Sequence, residues 1–164
     1  MGWKTITDLH PNGVKVRDAL LDAGVDTEIV ETEESSPTAV RAAEQLGIAV
    51  GQIANSLVFS ADGSPVLILA SGAHKVDTEL IATFLGAQAV HRPDADFVRE
   101  HTGQPIGGVA PLGHPAPIRT IVDEALAQYD AVWAAGGHPH YVFPTTFDEL
   151  VRITGGTPLA VGVR

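Results

Sequence analysis

The stretch from residue 55 to residue 71 constrains the fold of this chain more than any other. Two apolar runs are separated by Ala61-Asp62-Gly63-Ser64, and an Asp-Gly pair favours the positive φ angles of a tight hairpin turn. We therefore predict antiparallel strands over residues 55–59 and 65–71. The second run, Val66-Leu67-Ile68-Leu69-Ala70, is apolar at every position, which is typical of a strand buried on both faces. We expect this strand to lie at the centre of a sheet.

Helical and strand patterns alternate along the rest of the chain. Caps and apolar spacing predict helices over residues 14–23, 36–47, 77–85, 93–101, 123–128 and 146–154. The second of these helices begins with Ser36 as N-cap and Pro37 at the first helical position. Further strands are predicted over residues 26–32, 87–92, 118–122, 131–135, 141–143 and 158–163. The pattern indicates an α/β or α+β domain with a mixed, partly antiparallel sheet, closed or nearly closed so that few edges remain.

Composition excludes several functional classes. The 164 residues fit one domain, residues 1–164, and 45% of them are apolar, which is enough for a core. The net charge of −10 and the absence of a basic run restrict any nucleic-acid contact to a local one. The lack of cysteine excludes disulfides and thiolate nucleophiles. No apolar run is long enough for a membrane span or a secretory signal, so we expect a cytoplasmic protein without membrane contact.

A glycine-rich loop is the strongest functional candidate. Gly107-Gly108-Val109-Ala110-Pro111-Leu112-Gly113-His114 could aim backbone N–H groups at a carbonyl or phosphate oxygen, although a tight structural connection is the alternative interpretation. The turn Gly136-Gly137 offers a second backbone-rich wall. Asn55 at a strand start, and Ser71-Gly72 at the end of the central strand, add polar groups. This inventory suits a small acyl group that is polarised by backbone donors and attacked by water.

Two other chemistries stay open. His138 and His140 stand two apart and could bind a metal with His114 or His74 as a third ligand, although polar turn histidines are the alternative interpretation. A nucleophilic serine would have to be Ser56 or Ser71, and neither lies in a Gly-x-Ser-x-Gly motif. Both chemistries are less well supported than a backbone-lined site.

Four segments in this order resemble the YbaK/EbsC family of aminoacyl-tRNA deacylases, which is similar to the editing domain of bacterial prolyl-tRNA synthetases. They are Ala42-Ala43-Glu44-Gln45-Leu46-Gly47, Gln52-Ile53-Ala54-Asn55-Ser56-Leu57-Val58-Phe59, Val66-Leu67-Ile68-Leu69-Ala70-Ser71-Gly72 with Val76-Asp77, and Gly107-Gly108-Val109-Ala110-Pro111-Leu112-Gly113. The resemblance implies a mixed, largely antiparallel, barrel-like sheet of about seven strands flanked by helices.

The resemblance also implies a reaction: hydrolysis of a mischarged aminoacyl ester at the 3′ end of tRNA, without a cofactor or metal. The loop from Gly107 to Pro111 would hold the substrate carbonyl and position a water, and the terminal ribose 2′-hydroxyl would assist. The implied partners are the aminoacylated acceptor end of tRNA and an aminoacyl-tRNA synthetase. Expected catalytic residues are Gly107, Gly108, Val109, Ala110, Pro111 and Asn55. Expected substrate-binding residues are Thr38, Ser56, Ser71, Gly72, Leu112, Gly113, His114, Gly136, Gly137 and His138.

Two positions depart from the family pattern. Asn55 stands where the family typically has a lysine, and Ala110 stands where the loop often has serine or cysteine. A neutral amide forms weaker hydrogen bonds than an ammonium group. A catalytically weak or inactive relative that binds a small ligand or a protein is therefore the alternative function, and a hydrolase of another acyl ester or amide is a third.

Overall fold

The computed structural model describes residues 3–6, 8–35 and 38–163 as eleven strands, five α-helices and two short 3-10 turns. The strands are β1 (Trp3–Thr5), β2 (Val30–Thr32), β3 (Ile53–Ala61), β4 (Ser64–Ser71), β5 (Lys75–Val76), β6 (Val90–His91), β7 (Arg119–Asp123), β8 (Val132–Ala135), β9 (Tyr141–Thr145), β10 (Thr157–Leu159) and β11 (Gly162–Val163). The helices are α1 (Pro11–Asp22), α2 (Ala39–Leu46), α3 (Thr78–Leu85), α4 (Ala95–Thr102) and α5 (Phe147–Thr154). The 3-10 turns are Val50–Gln52 and Glu124–Gln128.

One mixed sheet organises the chain. Its strands follow the order β1-β2-β9-β8-β3-β4-β7-β10, with β6 as a further partner of β3, and β5 pairs with β11 in a separate two-stranded sheet. Within the large sheet, β3 pairs with β8, β4 with β7 and β7 with β10 in parallel, and the other pairs are antiparallel. The expected mixed and largely antiparallel architecture is therefore confirmed. Among the described strands the path is open, since no pairing joins β1 to β10.

The predicted hairpin is confirmed and lies at the centre of the sheet. Asp62 and Gly63 have φ angles of +51° and +91°, as an Asp-Gly turn requires. β4 is buried on both faces: Leu67 and Leu69 pack in one apolar cluster, and Ile68 packs in another. This strand therefore holds the two sides of the molecule together.

The other strand of the hairpin, β3, has an incompletely paired edge. On the side away from β4, Ile53 and Ala54 pair with β8, and Ser60 and Ala61 pair with β6. Continuing the β6 register by two residues brings Pro93 opposite Val58, and proline has no N–H to extend the ladder. No described strand pairs with this edge over residues 55–59, a stretch that we call the β3 gap.

Most helix boundaries follow the predicted caps, although α1 begins at Pro11 after the N-cap His10, three residues before the predicted start at Val14. Asp77 is the N-cap of α3 and Thr146 is that of α5, as predicted, and α4 begins after Asp94. The predicted start of the second helix at Ser36-Pro37 lies outside the described residues, and the described helix begins after Thr38, whose hydroxyl accepts from the N–H of Arg41. No helix in the described ranges is long and apolar enough to cross a membrane.

Several predicted elements differ from the structure. The strands expected over residues 26–32 and 87–92 are only three and two residues long, and the helix expected over residues 123–128 is a 3-10 turn. The single terminal strand expected over residues 158–163 is divided between β10, which pairs with β7, and β11, which pairs with β5. Strands β1 and β5 were not predicted, since each is only two or three residues long.

Candidate active site

A cavity of about 260 Å³ opens at the β3 gap. Small side chains form much of its wall, so the interior has room for a compact group. The cavity is lined by residues of β3, β8, β9, the N-terminal end of α2 and the glycine-rich loop. The lining residues are Thr38, Ala39, Ala42, Ile53, Ala54, Asn55, Ser56, Leu57, Val58, Arg92, Val98, Ile106, Gly107, Val109, Trp133, Ala134, Ala135, Pro139, Tyr141 and Val142.

The β3 gap leaves backbone polar groups free at the cavity. The carbonyl of Ile53 accepts from the N–H of Gly72, at 2.8 Å, on the β4 side. Because backbone groups alternate along a strand, the N–H and C=O of Ser56 and Val58 point to the opposite edge. That edge has no partner strand over residues 55–59 in the described part of the chain. The cavity wall therefore contains the donors and acceptors of the unpaired edge of β3.

Ser56 carries an unused hydroxyl at the same place. Its Oγ is buried and has no hydrogen-bond partner within the described residues. The side chain lies on the same face of β3 as Ala54 and Val58, which belong to the same apolar cluster as Val109 of the loop. A buried hydroxyl without a partner costs free energy, so such a group calls for a ligand or a bound water.

The first half of the glycine-rich loop is a tight turn. The N–H of Gly108 donates to the carbonyl of Pro105 at 3.0 Å, and Gly107 has a φ of +90°. This combination is that of a type II turn, which needs a glycine at its third position. A Cβ on Gly108 would lie 2.8 Å from the carbonyl carbon of His138 and 2.9 Å from the nitrogen of Pro139. Both glycines are thus required by the backbone of the loop.

The second half of the loop is anchored by side chains. The N–H of Ala110 donates to Oε1 of Gln104 at 2.7 Å, and the Ala110 carbonyl accepts from Nε2 of His114 at 2.8 Å. Burial lowers the pKa of His114, and its bond to Ala110 opposes that shift only in part. The amide of Ala110 is therefore occupied by the loop itself.

Gly107 and Val109 are the loop residues that both line the cavity and have a backbone N–H without a partner among the described residues. In the described part of the chain, neither N–H donates a hydrogen bond, whereas the intervening Gly108 and the following Ala110 both do. Gly107 and Val109 line the cavity, and Val109 is only 3% exposed. Of the loop, these two residues are the ones that lie at this cavity.

The structure brings part of the expected site together. Of the residues expected from the sequence, Thr38, Asn55, Ser56, Gly107 and Val109 line the cavity. Gly108, Ala110 and Pro111 lie behind this wall, with Ala110 fully buried. The remaining expected residues lie elsewhere in the fold.

Ser71 and Gly72 are structural rather than cavity-lining in the described chain. The Ser71 hydroxyl donates to the carbonyl of Gly51 at 2.9 Å, and its N–H donates to buried Asp123 at 3.0 Å. A Cβ on Gly72 would lie 2.4 Å from the carbonyl oxygen of Val50, so this glycine permits close backbone packing. Asp123 also contacts Nδ1 of His74 at 2.8 Å.

The other expected binding residues lie in the apolar core, in a turn or at two separate cavities. Leu112 packs against the main apolar core, and Gly113 and His114 line a separate cavity with Lys15 and Gln104. The N–H of Gly136 donates to the carbonyl of Tyr141, and Gly137 has a φ of +93°. His138 lines a third cavity with Trp3, Glu31, Thr32, Glu33 and His140.

Histidines cluster beside the cavity without forming a metal site among the described residues. The rings of His138 and His10 have centroids 5.1 Å apart, and those of His138 and His140 are 5.6 Å apart. Nδ1 of His138 accepts from the backbone N–H of His140 at 3.2 Å. No group of three or more histidine or carboxylate side chains in the described ranges is placed to hold a metal ion.

This cluster predicts acid sensitivity. Burial lowers the pKa of His138, the charges of His10 and His140 lower it further, and Glu31 opposes them. The folded protein thus binds a proton on His138 more weakly than the unfolded chain, in which the pKa of histidine is 6.5. The stabilising effect of neutral His138 is complete above pH 6.5 and is lost as the pH falls below it, and His114 acts in the same direction.

We therefore expect the free energy of unfolding to fall between pH 7.5 and pH 5, and to fall less steeply in His138→Gln. Urea titrations of both proteins at several pH values measure the two slopes. Equal slopes would contradict a role for His138, whereas the residual slope of the variant includes the contribution of His114.

Sequence reasoning missed other residues of the cavity, including Arg92, Trp133 and Tyr141. The sequence predicts Tyr141 only as a strand residue, whereas in the structure its hydroxyl accepts from the N–H of His10 at 2.9 Å and its ring lies against His138. Pro93 is the sequence feature that could have identified Arg92. A proline ends strand pairing, so the residue before it lies beside an opening in the sheet.

Comparison with known proteins identifies the family. Residues 33–153 match the model of the aminoacyl-tRNA editing domain. The uncharacterized protein YwhH of Bacillus subtilis is 33% identical over 126 residues, which are 76% of this chain and 80% of YwhH. The proline–tRNA ligase of Bacillus licheniformis is 32% identical over 151 residues, which are 84% of this chain but only 26% of the ligase.

A solved structure supports the same assignment. A crystal structure described as that of "a putative trans-editing enzyme for prolyl tRNA synthetase" superposes with a TM-score of 0.88 at 36% identity, and the match covers 96% of this chain and 100% of that one. The sequence match and this superposition agree with the resemblance seen in the sequence. The chain therefore belongs to the aminoacyl-tRNA editing domain family, and the prediction of an aminoacyl-tRNA deacylase is confirmed at the level of that family.

Proposed function

We propose that this chain hydrolyses the ester of a small amino acid mischarged on tRNA, with the reacting ester in the cavity at the β3 gap. The observation that carries the proposal is the set of unused polar groups around that cavity. They are the N–H groups of Gly107 and Val109, the buried Ser56 hydroxyl and the unpaired backbone of β3. These groups match an ester carbonyl, which needs donors, and an α-ammonium group, which needs acceptors.

The loop amides suit the carbonyl. When water attacks the carbonyl carbon, negative charge develops on its oxygen, and fixed N–H donors stabilise that charge. Gly107 and Val109 provide such donors on a loop held by the Gln104 and His114 contacts to Ala110. A loop fixed in advance does not have to reorganise as the charge forms.

The Ser56 side of the cavity suits the amino group. A hydroxyl oxygen and the free backbone carbonyls of β3 can accept hydrogen bonds from an α-ammonium group. The wall beside them includes the buried Ala54 and Ala134, each 1% exposed, and the whole cavity measures only about 260 Å³. We therefore assign the cavity to amino acids with small side chains, since a larger one would displace this wall.

The proton transfer is assigned to the substrate. No carboxylate, histidine or lysine is among the described lining residues of the cavity. The ribose 2′-hydroxyl next to the ester can orient the attacking water and assist its deprotonation. The bond between the carbonyl carbon and the ribose oxygen then breaks, that oxygen takes the proton, and a free amino acid and an intact tRNA result.

Deacylation of a panel of aminoacyl-tRNAs by the purified protein tests the proposal. We expect selective release of one or a few small amino acids at rates well above spontaneous hydrolysis. No release from any member, with an active deacylase as positive control, would overturn the proposal and favour a ligand-binding or protein-binding relative. Turnover of simple esters without aminoacyl-tRNA turnover would instead indicate another acyl hydrolase.

Replacing Asn55 with alanine should lower kcat/KM about threefold to tenfold and leave the thermal midpoint within about one degree. Asn55 lines the cavity, is only partly buried, and its side chain makes no hydrogen bond within the described residues. Deletion therefore removes a ligand contact without leaving an unpaired group. Asn55→Lys should raise kcat/KM, because a charged donor binds a carbonyl oxygen more strongly. A large loss of thermal stability in Asn55→Ala would show a structural role instead.

A further inference from the structure

Arg92 is the one charged residue among the described lining residues of the cavity. It directly follows β6, where pairing with β3 ends, and its side chain is exposed at the cavity rim. Its guanidinium carbon lies 5.4 Å from the ring centroid of Phe59 on β3. A cation stacked on an aromatic face is held in place while its N–H groups remain available.

No carboxylate neutralises Arg92 within the described part of the chain. Arg41 of α2 differs in this respect, because it forms ion pairs with Glu34 and Glu44. The ion pairs of the described residues do not include Arg92. The cavity rim therefore carries a fixed and unpaired positive charge on a chain whose net charge is −10.

We infer that Arg92 binds the phosphate of the terminal nucleotide that carries the amino acid. This inference rests on the proposed function, since it assigns one contact of the same ligand. A guanidinium group can donate two parallel hydrogen bonds to a phosphate, and a local positive charge offsets the repulsion of a polyanion by an acidic protein. Arg92 is a binding residue at the rim and does not touch the reacting ester.

Two synthetic esters isolate this contact. One is a 2′(3′)-O-aminoacyl adenosine, and the other is the same ester with a 5′-phosphate, each carrying the amino acid released fastest from tRNA. We expect the protein to favour the phosphorylated ester about tenfold in kcat/KM, mainly through KM. Arg92→Gln should remove most of this preference and Arg92→Lys should retain part of it. The preference should also shrink at higher salt.

Arg119 provides a matched control. Its guanidinium carbon lies 5.9 Å from the ring centroid of Phe84, so the same kind of stacked arginine occurs away from the cavity. Arg119→Gln should keep the full preference for the phosphorylated ester. An equal loss of preference in Arg92→Gln and Arg119→Gln, or no loss in Arg92→Gln, would overturn the inference.

Binding without hydrolysis separates this inference from the proposed function. The only tryptophans, Trp3 and Trp133, lie 6.4 Å apart between ring centroids, and Trp133 lines the cavity. Tryptophan fluorescence can therefore follow titrations with adenosine and with adenosine 5′-monophosphate. If no aminoacyl-tRNA of the panel is hydrolysed, the proposed deacylation fails, yet tighter binding of adenosine 5′-monophosphate than of adenosine that is lost in Arg92→Gln would still support the contact. Equal binding of the two nucleosides by wild-type protein would overturn it.

Discussion

Replacing Gly108 with alanine should lower aminoacyl-tRNA deacylation about a hundredfold while the chain still folds. The reason lies behind the cavity: the new Cβ would meet the backbone of His138 and Pro139 at 2.8–3.0 Å. Backbone atoms cannot rotate away as a flexible side chain can, so the loop itself must shift. Gly107 and Val109 would move with it, and a misplacement of about 1 Å at a reacting group can cost about two orders of magnitude in rate.

The stability cost of Gly108→Ala should be about 1–3 kcal/mol, as for other overpacked sites. Gly155→Ala is the matched control, because Gly155 follows α5 with a φ of +64° and has open space where a Cβ would lie. That variant should lose about 1 kcal/mol of unfolding free energy and keep its deacylation rate. Urea unfolding and deacylation kinetics of both variants measure these effects. A fully active Gly108→Ala would contradict the assignment of the loop to the ester carbonyl.

The elements that could be predicted from the sequence are those set by local chemistry. The Asp62-Gly63 turn and the N-caps Asp77 and Thr146 each depend on residues within four positions of one another. The short strands β1 and β5 depend instead on partners far along the chain, β2 and β11. Too few residues take part in each to produce a periodic pattern.

Only part of the candidate site could be predicted from the sequence, namely the residues that lie in recognisable local segments. Gly107 and Asn55 lie in segments with a recognisable order, and both line the cavity. The roles within the loop depend on contacts that no spacing reveals, such as the close approach of Gly108 to the backbone of His138, 30 residues further along the chain. Likewise, the cavity exists because pairing along β3 stops between Ala54 and Ser60, and that opening brings Arg92 to the rim.

Ser56→Ala should lower kcat/KM about tenfold to a hundredfold without lowering the free energy of unfolding. The Ser56 hydroxyl is buried without a partner in the described chain, so its removal relieves a desolvation cost instead of breaking a bond. In the complex it would accept from a charged ammonium group, a bond worth about 1.5–3 kcal/mol. The variant should therefore be as stable as the wild type or more stable, and should bind its substrate less well.

Ser60→Ala should show the reverse behaviour and serves as the control. Ser60 lies four residues further along the same face of β3, is 4% exposed, and its Oγ accepts from the N–H of Gly63 at 3.1 Å. Its removal should cost about 1 kcal/mol of stability and leave deacylation unchanged, since Ser60 does not line the cavity. If Ser56→Ala lost stability and kept its activity, the hydroxyl would be part of the fold, and the acceptors for the amino group would have to be the backbone carbonyls of β3 alone.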